Sequence, residues 1–269
     1  MLPSNAVGST HVVERALGRS DVTVVSNPEF LREGSAVDDF MHLDRIVIGA
    51  DDRSAAVRVS SLFIGVTAPL IATDPASAET IKYAANSFLA TKIRFVNAIA
   101  AVCEAVGADV NDVVLGMGSD PRIGERFLKP GPGWGGSCFP KDTRAMARIA
   151  EDAGYRFGLL EGVIEVNDEQ FERIVQKVRG AAGGSLDGTK VAVLGLTFKA
   201  NTDDLRDSPS LEVSRRLIAA GATIQAFDPA VHRSVGDIPV FDSAYSAAEA
   251  ADVIVLLTGE AGYNYAQQA

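Results

Sequence analysis

The chain has 269 residues, of which 47% are hydrophobic and 22% are charged, and its formal net charge at pH 7 is -10. This composition is typical of a globular protein with about two domains. The excess of acidic residues argues against nonspecific binding to nucleic acid or to anionic membranes, so a phosphate-bearing ligand would need locally placed lysine and arginine.

Two cysteines, Cys103 and Cys138, are too few for a disulfide framework and indicate a reducing compartment. The first residues lack the basic and apolar regions of a signal peptide, and no run of about 18 apolar residues predicts a membrane span. We therefore expect a cytoplasmic protein with neither a nucleic-acid partner nor a membrane partner. Cys103 lies in a helical pattern and is interpreted as a small core residue.

The first part of the chain alternates between short strands and helices. β-branched runs predict strands over residues 21–26 and 45–49, and a helix is expected over residues 53–64. A nucleotide-binding α/β domain opens with a strand, a glycine-rich turn and a helix, and nothing before Asp21 supplies them. The chain therefore reads as if it began within such a domain.

The segment NPEFLREGSAV, residues 27–37, lies between the two predicted strands. Asn27 and Pro28 predict a turn. If the turn continues into a helix, Glu29 and Glu33 share one face of it. Acidic side chains at the end of a parallel strand lie where α/β sheets bind ligands, but a capped helix start with solvated carboxylates fits the pattern equally well.

A long central helix is predicted from Asp74 and Pro75, which are typical of a helix start, to Gly107, the next glycine or proline in the chain. Such a helix is too long for one small domain, so it either joins two domains or packs against a symmetry mate. Lys82 and Asn86 are four residues apart and share a face of this helix. Their spacing alone favours two solvated side chains.

The sequence GPGWGGSCFPKD, residues 131–142, brings Cys138 after a run of glycines. Glycine lets a backbone approach a ligand closely. The neighbouring Lys141 would favour the thiolate, which is the nucleophilic form of the side chain. We interpret Cys138 as a nucleophile, and a glycine-rich surface loop with an inert buried cysteine is the alternative.

The same stretch matches the text pattern G-x-G-x-x-G of dinucleotide-binding turns. That turn needs a strand before it and a helix directly after it. Residues 126–130 do not predict a strand, and Pro140 is expected to block an immediate helix, so we reject a cofactor-binding role for these glycines. Arg122, Arg126 and Lys129 lie nearby and suit a pyrophosphate, although exposed basic residues are commonly only solubilising.

Further helices are predicted over residues 109–115, 142–153 and 159–178. The turn-rich sequence GAAGGSLDG, residues 180–188, is the predicted domain boundary. After it, the apolar runs KVAVL, ATIQAF and DVIVLL, with a helix over residues 210–219 between the first two, predict a second parallel α/β sheet.

The turn after the first of these strands, GLTFK, lacks the three glycines of a dinucleotide-binding turn. Lys199 and Arg206 instead follow that strand, at the edge of the sheet where a nucleotide could bind. The last residues, 259–269, predict no helix and read as a frayed or cut end.

Four motifs in this order and spacing, NPEFLREGSAV, KYAANSFLA, RIGERFLKPGPGWGGSCFPKD and GLTFKANTDDLRDSPS, resemble the UDP-glucose/GDP-mannose dehydrogenase family, and in it the UDP-glucose 6-dehydrogenases. The resemblance covers nearly the whole chain. It implies an α/β fold with a remnant of an N-terminal Rossmann-like NAD-binding domain in residues 1–72. It further implies a long central helix with a helical dimerisation domain in residues 73–180, and a truncated C-terminal Rossmann-like, UDP-binding parallel sheet in residues 187–269.

The activity implied by the resemblance is the NAD-dependent oxidation of UDP-glucose to UDP-glucuronate in two hydride transfers. Cys138 would capture the aldehyde formed at C6 as a thiohemiacetal, which a second NAD oxidises to a thioester. Lys82 and Asn86, on the long helix, would converge on that thiol, hold the reacting oxygen and stabilise its developing charge. Asp142 would position a water for proton removal, and Glu29 would act as the general base in thioester hydrolysis.

The resemblance also implies contacts with the substrate and with the cofactor. The substrate contacts are Phe30, Leu31, Arg122, Phe127, Leu128, Lys129, Pro130, Gly131, Gly135 and Lys199. The cofactor contacts, made to NAD, are Glu33, Lys141 and Arg206. Arg122 would reach the site of a neighbouring subunit, which is consistent with a homodimer built on the long helix.

The chain departs from the family pattern at both ends. Family members carry further amino-terminal residues with the glycine-rich NAD loop and the acidic ribose-binding residue, and the chain contains neither. At the other end GEAGYNYAQQA replaces the usual acidic-Trp segment and the later substrate-contacting arginine, and Leu43 stands where the family usually has proline. We therefore expect weak or absent NAD binding by the isolated chain, and its activity in isolation stays open.

Two alternatives to this function remain. The first is the oxidation of GDP-mannose or another hexose nucleotide, because the base specificity does not follow from the spacing of the motifs. The second is a non-catalytic module that dimerises through the long helix and binds a sugar nucleotide without oxidising it.

Overall fold

A computed structural model describes residues 7–258 of the chain. The described chain divides into two compact units. The first contains the described part of Met1–Ser87 together with Asp142–Phe157, and the second contains Phe88–Lys141 together with the described part of Gly158–Ala269. The three-domain division expected from the sequence stays a prediction.

The first unit holds a two-stranded parallel sheet, in which β1 (Ile46–Gly49) pairs with β2 (Leu70–Thr73). β1 is buried along its whole length, as expected for an uninterrupted β-branched run in a parallel sheet. The unit also contains α1 (Ser9–Leu17), α2 (Ala36–Met41) and α3 (Arg53–Ser60), the last of which continues into a 3₁₀ turn at Ser61–Phe63. The structure confirms the strand predicted over residues 45–49 and the helix after it, whereas β2 was not predicted.

The strand predicted over residues 21–26 is wrong. Only Ser26 pairs, in an isolated antiparallel bridge with Gly49, and the two residues exchange main-chain hydrogen bonds of 2.8 Å. Residue types that favour strands do so because their side chains pack well on a half-buried sheet, so the preference has no effect where no sheet is present. Residues 21–23 are exposed, and within residues 7–258 no strand lies beside them to complete a ladder.

A buried carboxylate holds α1 to the long helix. Glu79 accepts hydrogen bonds from the main-chain N–H groups of Gly8 (2.5 Å) and Thr10 (2.9 Å) and from the Thr10 hydroxyl (2.8 Å). The first N–H groups of a helix have no partner within the helix, and they favour a negative charge. Helix α1 was not predicted, because the pairing that stabilises it joins residues far apart in the chain.

The structure confirms the long central helix as α4 (Pro75–Val106). Asp74 accepts a hydrogen bond of 2.8 Å from the Ser77 N–H, which is the bond expected of an N-cap residue. The helix ends at Gly107, whose φ of +73° is readily adopted only by glycine. Cys103 is buried on this helix, as predicted for a core residue.

The second unit holds a parallel sheet, as the sequence predicts, and among the described residues its strand order is β4–β3–β5. The strands are β3 (Lys190–Leu194), β4 (Thr223–Phe227) and β5 (Val253–Leu256). The accompanying helices are α5 (Val110–Gly118), α7 (Gly158–Ala181), α8 (Pro209–Ala219) and α9 (Ala244–Ala248), of which only α9 was not predicted. Apolar residues of α7, α8 and the strands form one continuous core, which includes Phe171, Val175, Val191, Val213 and Leu217.

The expectation that Pro140 blocks a helix is wrong, because α6 (Phe139–Asp152) begins before it. Proline is tolerated in the first turn of a helix, where its missing N–H would have no helical partner. The other ground for rejecting a dinucleotide turn holds, since residues 126–130 form no strand.

None of the described helices combines the length and the apolar composition needed to cross a lipid bilayer. The frayed end expected at residues 259–269 lies outside the described residues.

Candidate active site

In the first unit, Lys82 and Glu29 form an ion pair. Lys82 Nζ lies 2.9 Å from Glu29 Oε1 and donates to the Glu29 carbonyl at 2.5 Å. The Lys82 side chain is only 17% exposed, so the solvated alternative for this residue is wrong. Phe30 lies beside the pair, with its ring 5.6 Å from Lys82 Nζ and 3.7 Å from the guanidinium carbon of Arg45. Two predicted catalytic residues and one predicted substrate contact are thus brought together.

A second pair in the same unit joins Asn86 to Asp142. Asn86 Nδ2 donates to Asp142 Oδ2 at 2.6 Å, and Asp142 is 1% exposed. A carboxylate that is desolvated and hydrogen-bonded is oriented rather than mobile. Asn86 is therefore held by a buried partner, and the solvated alternative is wrong for it too.

The segment 27–35, here called the Glu29 segment, contains no helix at Glu29 or Glu33, so the shared helical face considered for these residues is wrong. Glu29 Oε2 accepts instead from the Leu31 N–H at 2.8 Å, and the next helix begins only at Ala36. The carboxylate thus bonds the main chain two residues ahead of it, a local turn contact that competes with helix formation. Glu33 lies half-buried in the turn that follows.

An ion pair of Arg32 and Asp39 closes the Glu29 segment. The Asp39 carboxylate accepts from the Arg32 main-chain N–H at 2.7 Å and from its guanidinium, and the Ser35 hydroxyl donates to it at 3.2 Å. The Arg32 hydrogen bond is the largest cause that lowers the pKa of Asp39 to about 2. The segment is therefore held largely by charged contacts within a few residues.

In the second unit, Cys138 lies directly before α6 and is half-buried. Its Sγ is 3.7 Å from the Ser137 hydroxyl oxygen. Lys141 lies in the first turn of α6 and is exposed. The thiol is thus neither sealed in the core nor on a freely exposed loop, which argues against the alternative of an inert buried cysteine.

Residues 131–138, here called the cysteine loop, pack so closely on neighbouring residues that glycine is required at several of its positions. A Cβ on Gly135 would lie 1.9 Å from the Asp207 carbonyl oxygen, and one on Gly136 would lie 2.6 Å from the Phe198 ring. The Gly136 N–H donates to the Arg206 carbonyl at 3.1 Å. The glycine spacing therefore reflects close packing against the turn that follows β3.

The residues before the cysteine loop are ordered by aromatic and apolar packing. Phe127 adopts a positive φ of 65°, and its ring packs edge-to-face with Phe139 at a centroid distance of 6.3 Å. Leu128 is 2% exposed, so its side chain belongs to the interior, whereas Lys129 is exposed and Pro130 is half-buried.

Arg122 lies on the surface of the second unit, with its side chain 87% exposed. Its guanidinium forms a two-pronged pair with Asp120, with contacts of 2.5 to 3.1 Å. Lys92 of α4, which sequence reasoning missed, donates to the carbonyls of Ile123 (3.0 Å) and Gly124 (3.2 Å) and fixes the turn that presents Arg122.

The turn after β3 carries Lys199 and Arg206. The Lys199 carbonyl accepts from the hydroxyls of Thr197 (3.1 Å) and Thr202 (2.7 Å), and its side chain is exposed. The Arg206 guanidinium pairs with Asp204 at 2.8 to 3.0 Å. Both cations are therefore presented by an ordered turn at the carboxyl end of a central strand.

Asp228, which the sequence analysis did not single out, organises this turn. Its Oδ2 accepts from the N–H groups of Leu196 (2.7 Å) and Thr197 (3.0 Å), and its Oδ1 accepts from Ala230 (2.9 Å). The carboxylate is 2% exposed. No local pattern around Asp228 indicates a buried acceptor that binds the end of the neighbouring strand.

Among the described residues, no predicted catalytic residue shares a cluster of potential metal ligands. Within the described part of the chain, His11, Glu14 and Asp51 bring three ligand atoms within 4.8 Å of one another near the surface. Half-exposed acidic groups of this kind are common without a metal, and we assign no ion to them.

Three models of one protein family match the chain. Residues 76–169 match the central domain of the UDP-glucose/GDP-mannose dehydrogenase family, residues 192–269 match its UDP binding domain, and residues 4–67 match its NAD binding domain. The chain belongs to this family. Membership confirms the resemblance seen in the sequence and an α/β fold with parallel sheets and a long central helix.

Individual relatives extend the comparison. The chain is 46% identical over 266 residues to UDP-glucose 6-dehydrogenase from Rhizobium meliloti (strain 1021), with 94% of this chain and 61% of the relative covered. It is 48% identical over 253 residues to UDP-glucose 6-dehydrogenase TuaD from Bacillus subtilis (strain 168), with 92% and 55% covered. The structure of a UDP-glucose dehydrogenase from the hyperthermophilic archaeon Pyrobaculum islandicum matches with a TM-score of 0.91 at 37% identity, covering 96% of this chain and 62% of that one. The chain thus spans a little over half the length of these relatives.

Proposed function

We propose that this chain supplies the reacting side chains for the NAD-dependent oxidation of UDP-glucose to UDP-glucuronate. The single observation that carries the proposal is that two polar side chains of α4 each bond a carboxylate from another segment. Lys82 pairs with Glu29, and Asn86 hydrogen-bonds Asp142. An amine and an amide, each oriented by a carboxylate partner, are the groups that stabilise an oxyanion. Relatives that are 41–48% identical and named as UDP-glucose 6-dehydrogenases support the choice of substrate.

In this proposal Lys82 and Asn86 donate hydrogen bonds to the C6 oxygen of the hexose as it loses its proton. Asp142, buried beside Asn86, orients the water that takes this proton. The ammonium of Lys82 neutralises the charge that develops on the oxygen. Its carboxylate partner Glu29 is 58% exposed and so remains accessible to water for the later hydrolysis.

Cys138 then adds as a thiolate to the C6 aldehyde and gives a thiohemiacetal, so that the carbon is again ready to lose a hydride. Loss of the second hydride leaves a thioester on Sγ. Water activated by Glu29 attacks this thioester, the C–S bond breaks, and UDP-glucuronate leaves with the thiol restored. The overall reaction consumes one UDP-glucose, one water and two NAD⁺.

NAD, when bound, accepts the hydride from C6 in each oxidation. Glu33, Lys141 and Arg206 are the residues proposed for its binding. Two of them are cations, Lys141 exposed in the first turn of α6 and Arg206 held by Asp204, and this donor set suits a pyrophosphate. Weak or absent NAD binding by the isolated chain stays a prediction, and a micromolar NAD affinity in titration calorimetry would contradict it.

The proposed substrate contacts fall on three ordered segments. Phe30 and Leu31 lie on the Glu29 segment, residues 127–131 precede Gly135 in the cysteine loop, and Lys199 lies on the turn after β3. Lys199 suits the diphosphate, because a cation on an ordered turn at a strand end lies where α/β sheets bind nucleotides. Each of these contacts remains a proposal.

We also propose a homodimer built on α4, to which Arg122 contributes a contact with the neighbouring subunit. Phe88, Phe95 and Val102 are exposed by 65%, 51% and 56%, and their spacing of seven residues places them on one face of the helix. An apolar stripe of this kind is typical of a helix–helix interface. Analytical ultracentrifugation is expected to give a dimer, and Phe95→Glu to give a monomer, whereas Tyr245→Glu, at an exposed position on α9, leaves the dimer intact.

The proposed function is tested by NADH formation from UDP-glucose. We expect two NADH for each UDP-glucose consumed, loss of steady-state turnover in Cys138→Ser, and unchanged turnover in Cys103→Ser, which alters the buried cysteine of α4. Normal turnover in Cys138→Ser would contradict the thioester mechanism. Absence of NADH in the unmodified chain would favour the non-catalytic sugar-nucleotide module.

Removal of the Lys82 amine offers a second test of the site. Lys82→Met is expected to lower kcat roughly 100-fold, because a donor to a developing oxyanion is lost. Lys177→Met, which removes an exposed lysine paired with Glu104, serves as the matched control and is expected to leave kcat unchanged. Equal activities of the two variants would argue against the role of Lys82.

A further inference from the structure

Three amide side chains bind the main chain of Gly131 and Trp134 in the cysteine loop. The Gly131 N–H donates to Asn97 Oδ1 at 2.8 Å, and its carbonyl accepts from Gln170 at 2.9 Å. Asn167 Oδ1 accepts from the Trp134 N–H at 3.1 Å, and Asn167 Nδ2 donates to the Trp134 carbonyl at 3.2 Å. Both main-chain groups of both residues are thus paired with side chains of α4 and α7.

These side-chain hydrogen bonds take the place of the main-chain partners that a neighbouring strand would supply. Trp134 and Asn167 are both buried, and buried main-chain groups that find no partner destabilise the fold. The two bonds of Asn167 reproduce the exchange of N–H and C=O groups between neighbouring strands. Within the loop, which forms no helix or strand, the main-chain groups of Gly131 and Trp134 are thus all paired.

The charge of Arg94 fixes the orientation of the Asn167 amide. Arg94 Nη1 donates to Asn167 Oδ1 at 3.3 Å, so this oxygen faces two donors while Nδ2 faces a carbonyl. Burial lowers the pKa of Arg94 to about 10, which leaves the guanidinium charged at neutral pH. Rotation of the amide by half a turn would place donors against donors and break both bonds to Trp134.

Gly133 shows how closely the loop lies on α7. A Cβ at this position would lie 2.8 Å from Asn167 Oδ1 and 2.9 Å from Phe171 Cε1, and the residue has a φ of +123°. The loop is therefore in direct contact with the middle of α7 on one side. At its other end the Gly136 N–H is bound by the Arg206 carbonyl, two residues before the thiol.

We propose that Asn167 is a positioning residue for Cys138. By holding both main-chain groups of Trp134, it fixes the path along which the loop reaches the thiol at the start of α6. The proposal rests on the function assigned above, in which Cys138 is the nucleophile. A nucleophile displaced by about 1 Å can lose as much as 100-fold in rate, so an amide that touches neither substrate nor thiol would still control the reaction.

The chain carries its own reporters of this effect. Trp134 is the sole tryptophan in the sequence, so fluorescence reports on the loop directly. Cys138 is half-buried and Cys103 is buried, so the alkylation of the first reports on the loop while protection of the second reports that the fold is intact. Asn167→Leu removes both hydrogen bonds to Trp134, together with the bond accepted from Arg94, at similar volume. Gln176→Leu removes an exposed amide of the same helix and is the matched control.

For Asn167→Leu we expect Trp134 emission at longer wavelength, stronger quenching by acrylamide and severalfold faster alkylation of Cys138 by iodoacetamide, with Cys103 still protected. Asn167→Asp keeps the acceptor for the Trp134 N–H and loses the donor, so it is expected to give smaller changes in the same direction. Fluorescence and Cys138 alkylation equal to those of Gln176→Leu would overturn the proposal. If Asn167→Leu also exposes Cys103, Asn167→Asp decides, and its identity with the unmodified chain would overturn the proposal.

Kinetics separate positioning from a purely structural role. In the NADH assay, Asn167→Asp is expected to lower kcat about 10-fold with a much smaller change in the KM for UDP-glucose, because most of the proposed substrate contacts (Phe30, Leu31, residues 127–130 and Lys199) lie outside the loop. A rise in KM with unchanged kcat would contradict the proposal. Absence of turnover in the unmodified chain would instead defeat the proposed function, and the fluorescence and alkylation results would still decide the role of Asn167.

Discussion

The Glu29 segment and the cysteine loop, which carry the proposed chemistry of the two units, are held in different ways. Charged contacts near the surface hold the Glu29 segment, from Lys82 to Glu29 and from Arg32 to Asp39. Buried amides and tight backbone contacts hold the cysteine loop. Loss of a buried hydrogen-bond partner destabilises a protein by about 1–3 kcal/mol, whereas an exposed ion pair contributes about 0–1 kcal/mol. The comparison indicates that the cysteine loop, which leads to Cys138, is held more rigidly than the Glu29 segment.

The largest effect is expected where the cysteine loop touches backbone. Gly135→Ala would bring a Cβ within 1.9 Å of the Asp207 carbonyl oxygen, and the loop must move, so we expect a loss of roughly 2–4 kcal/mol in the free energy of unfolding. Gly131→Ala is the control in the same loop, because its Cβ would meet nothing within 4 Å. Urea unfolding followed by Trp134 fluorescence measures both. Equal stabilities of the two variants would remove the distinction between tight and open positions in the loop.

A buried carboxylate of the second unit offers the next test. Asp228→Asn replaces one of two oxygens that accept three main-chain N–H groups, so we expect a loss of about 1–3 kcal/mol in the free energy of unfolding. Asp237→Asn, at an exposed position of the same unit, is expected to change it by less than about 0.5 kcal/mol. Urea unfolding of both variants makes the comparison, and a neutral Asp228→Asn would show that the turn after β3 does not depend on this acceptor.

The smallest effect is expected in the Glu29 segment and depends on pH. The pKa of Asp39 is lowered from 3.8 to about 2 in the folded chain, so the folded state binds fewer protons than the unfolded state between these values. The stabilisation by Asp39 is therefore complete above about pH 4 and is lost as the pH falls toward 2. Since the Arg32 side chain is 58% exposed, we expect no more than about 1 kcal/mol.

Thermal unfolding at pH 5 and pH 3 checks this expectation about Asp39. Asp39→Asn should reduce the loss of stability between the two pH values, because the variant no longer titrates there. An unchanged pH dependence in the variant would mean that other carboxylates account for it.

Local sequence signals predicted much of the fold. Asp74 and Pro75 marked the start of α4, Gly107 marked its end, and apolar β-branched runs marked the strands of the second sheet. Each of these signals acts within a few residues. The failures arose where distant residues decide: residues 21–26 have a strand sequence but only one bridge, and α1 depends on Glu79.

The candidate site shows the same limit. Lys82, Asn86 and Cys138 stood out because of their motifs, yet spacing alone favoured solvated side chains for the first two, and the structure pairs both with carboxylates. Asn167 and Asp228 gave no such signal. Their importance lies in acceptors and donors brought from other elements, which no pattern of neighbouring residues describes.

The account depends most directly on a covalent bond between Cys138 and the oxidised sugar. Glu29→Gln is expected to slow thioester hydrolysis, so incubation with UDP-glucose and NAD followed by acid quenching should leave a UDP-glucuronyl adduct on the peptide that contains Cys138, as measured by mass spectrometry. The adduct should be absent when Cys138→Ser is combined with Glu29→Gln. Oxidation of UDP-glucose by Glu29→Gln without any adduct on Cys138 would contradict the account.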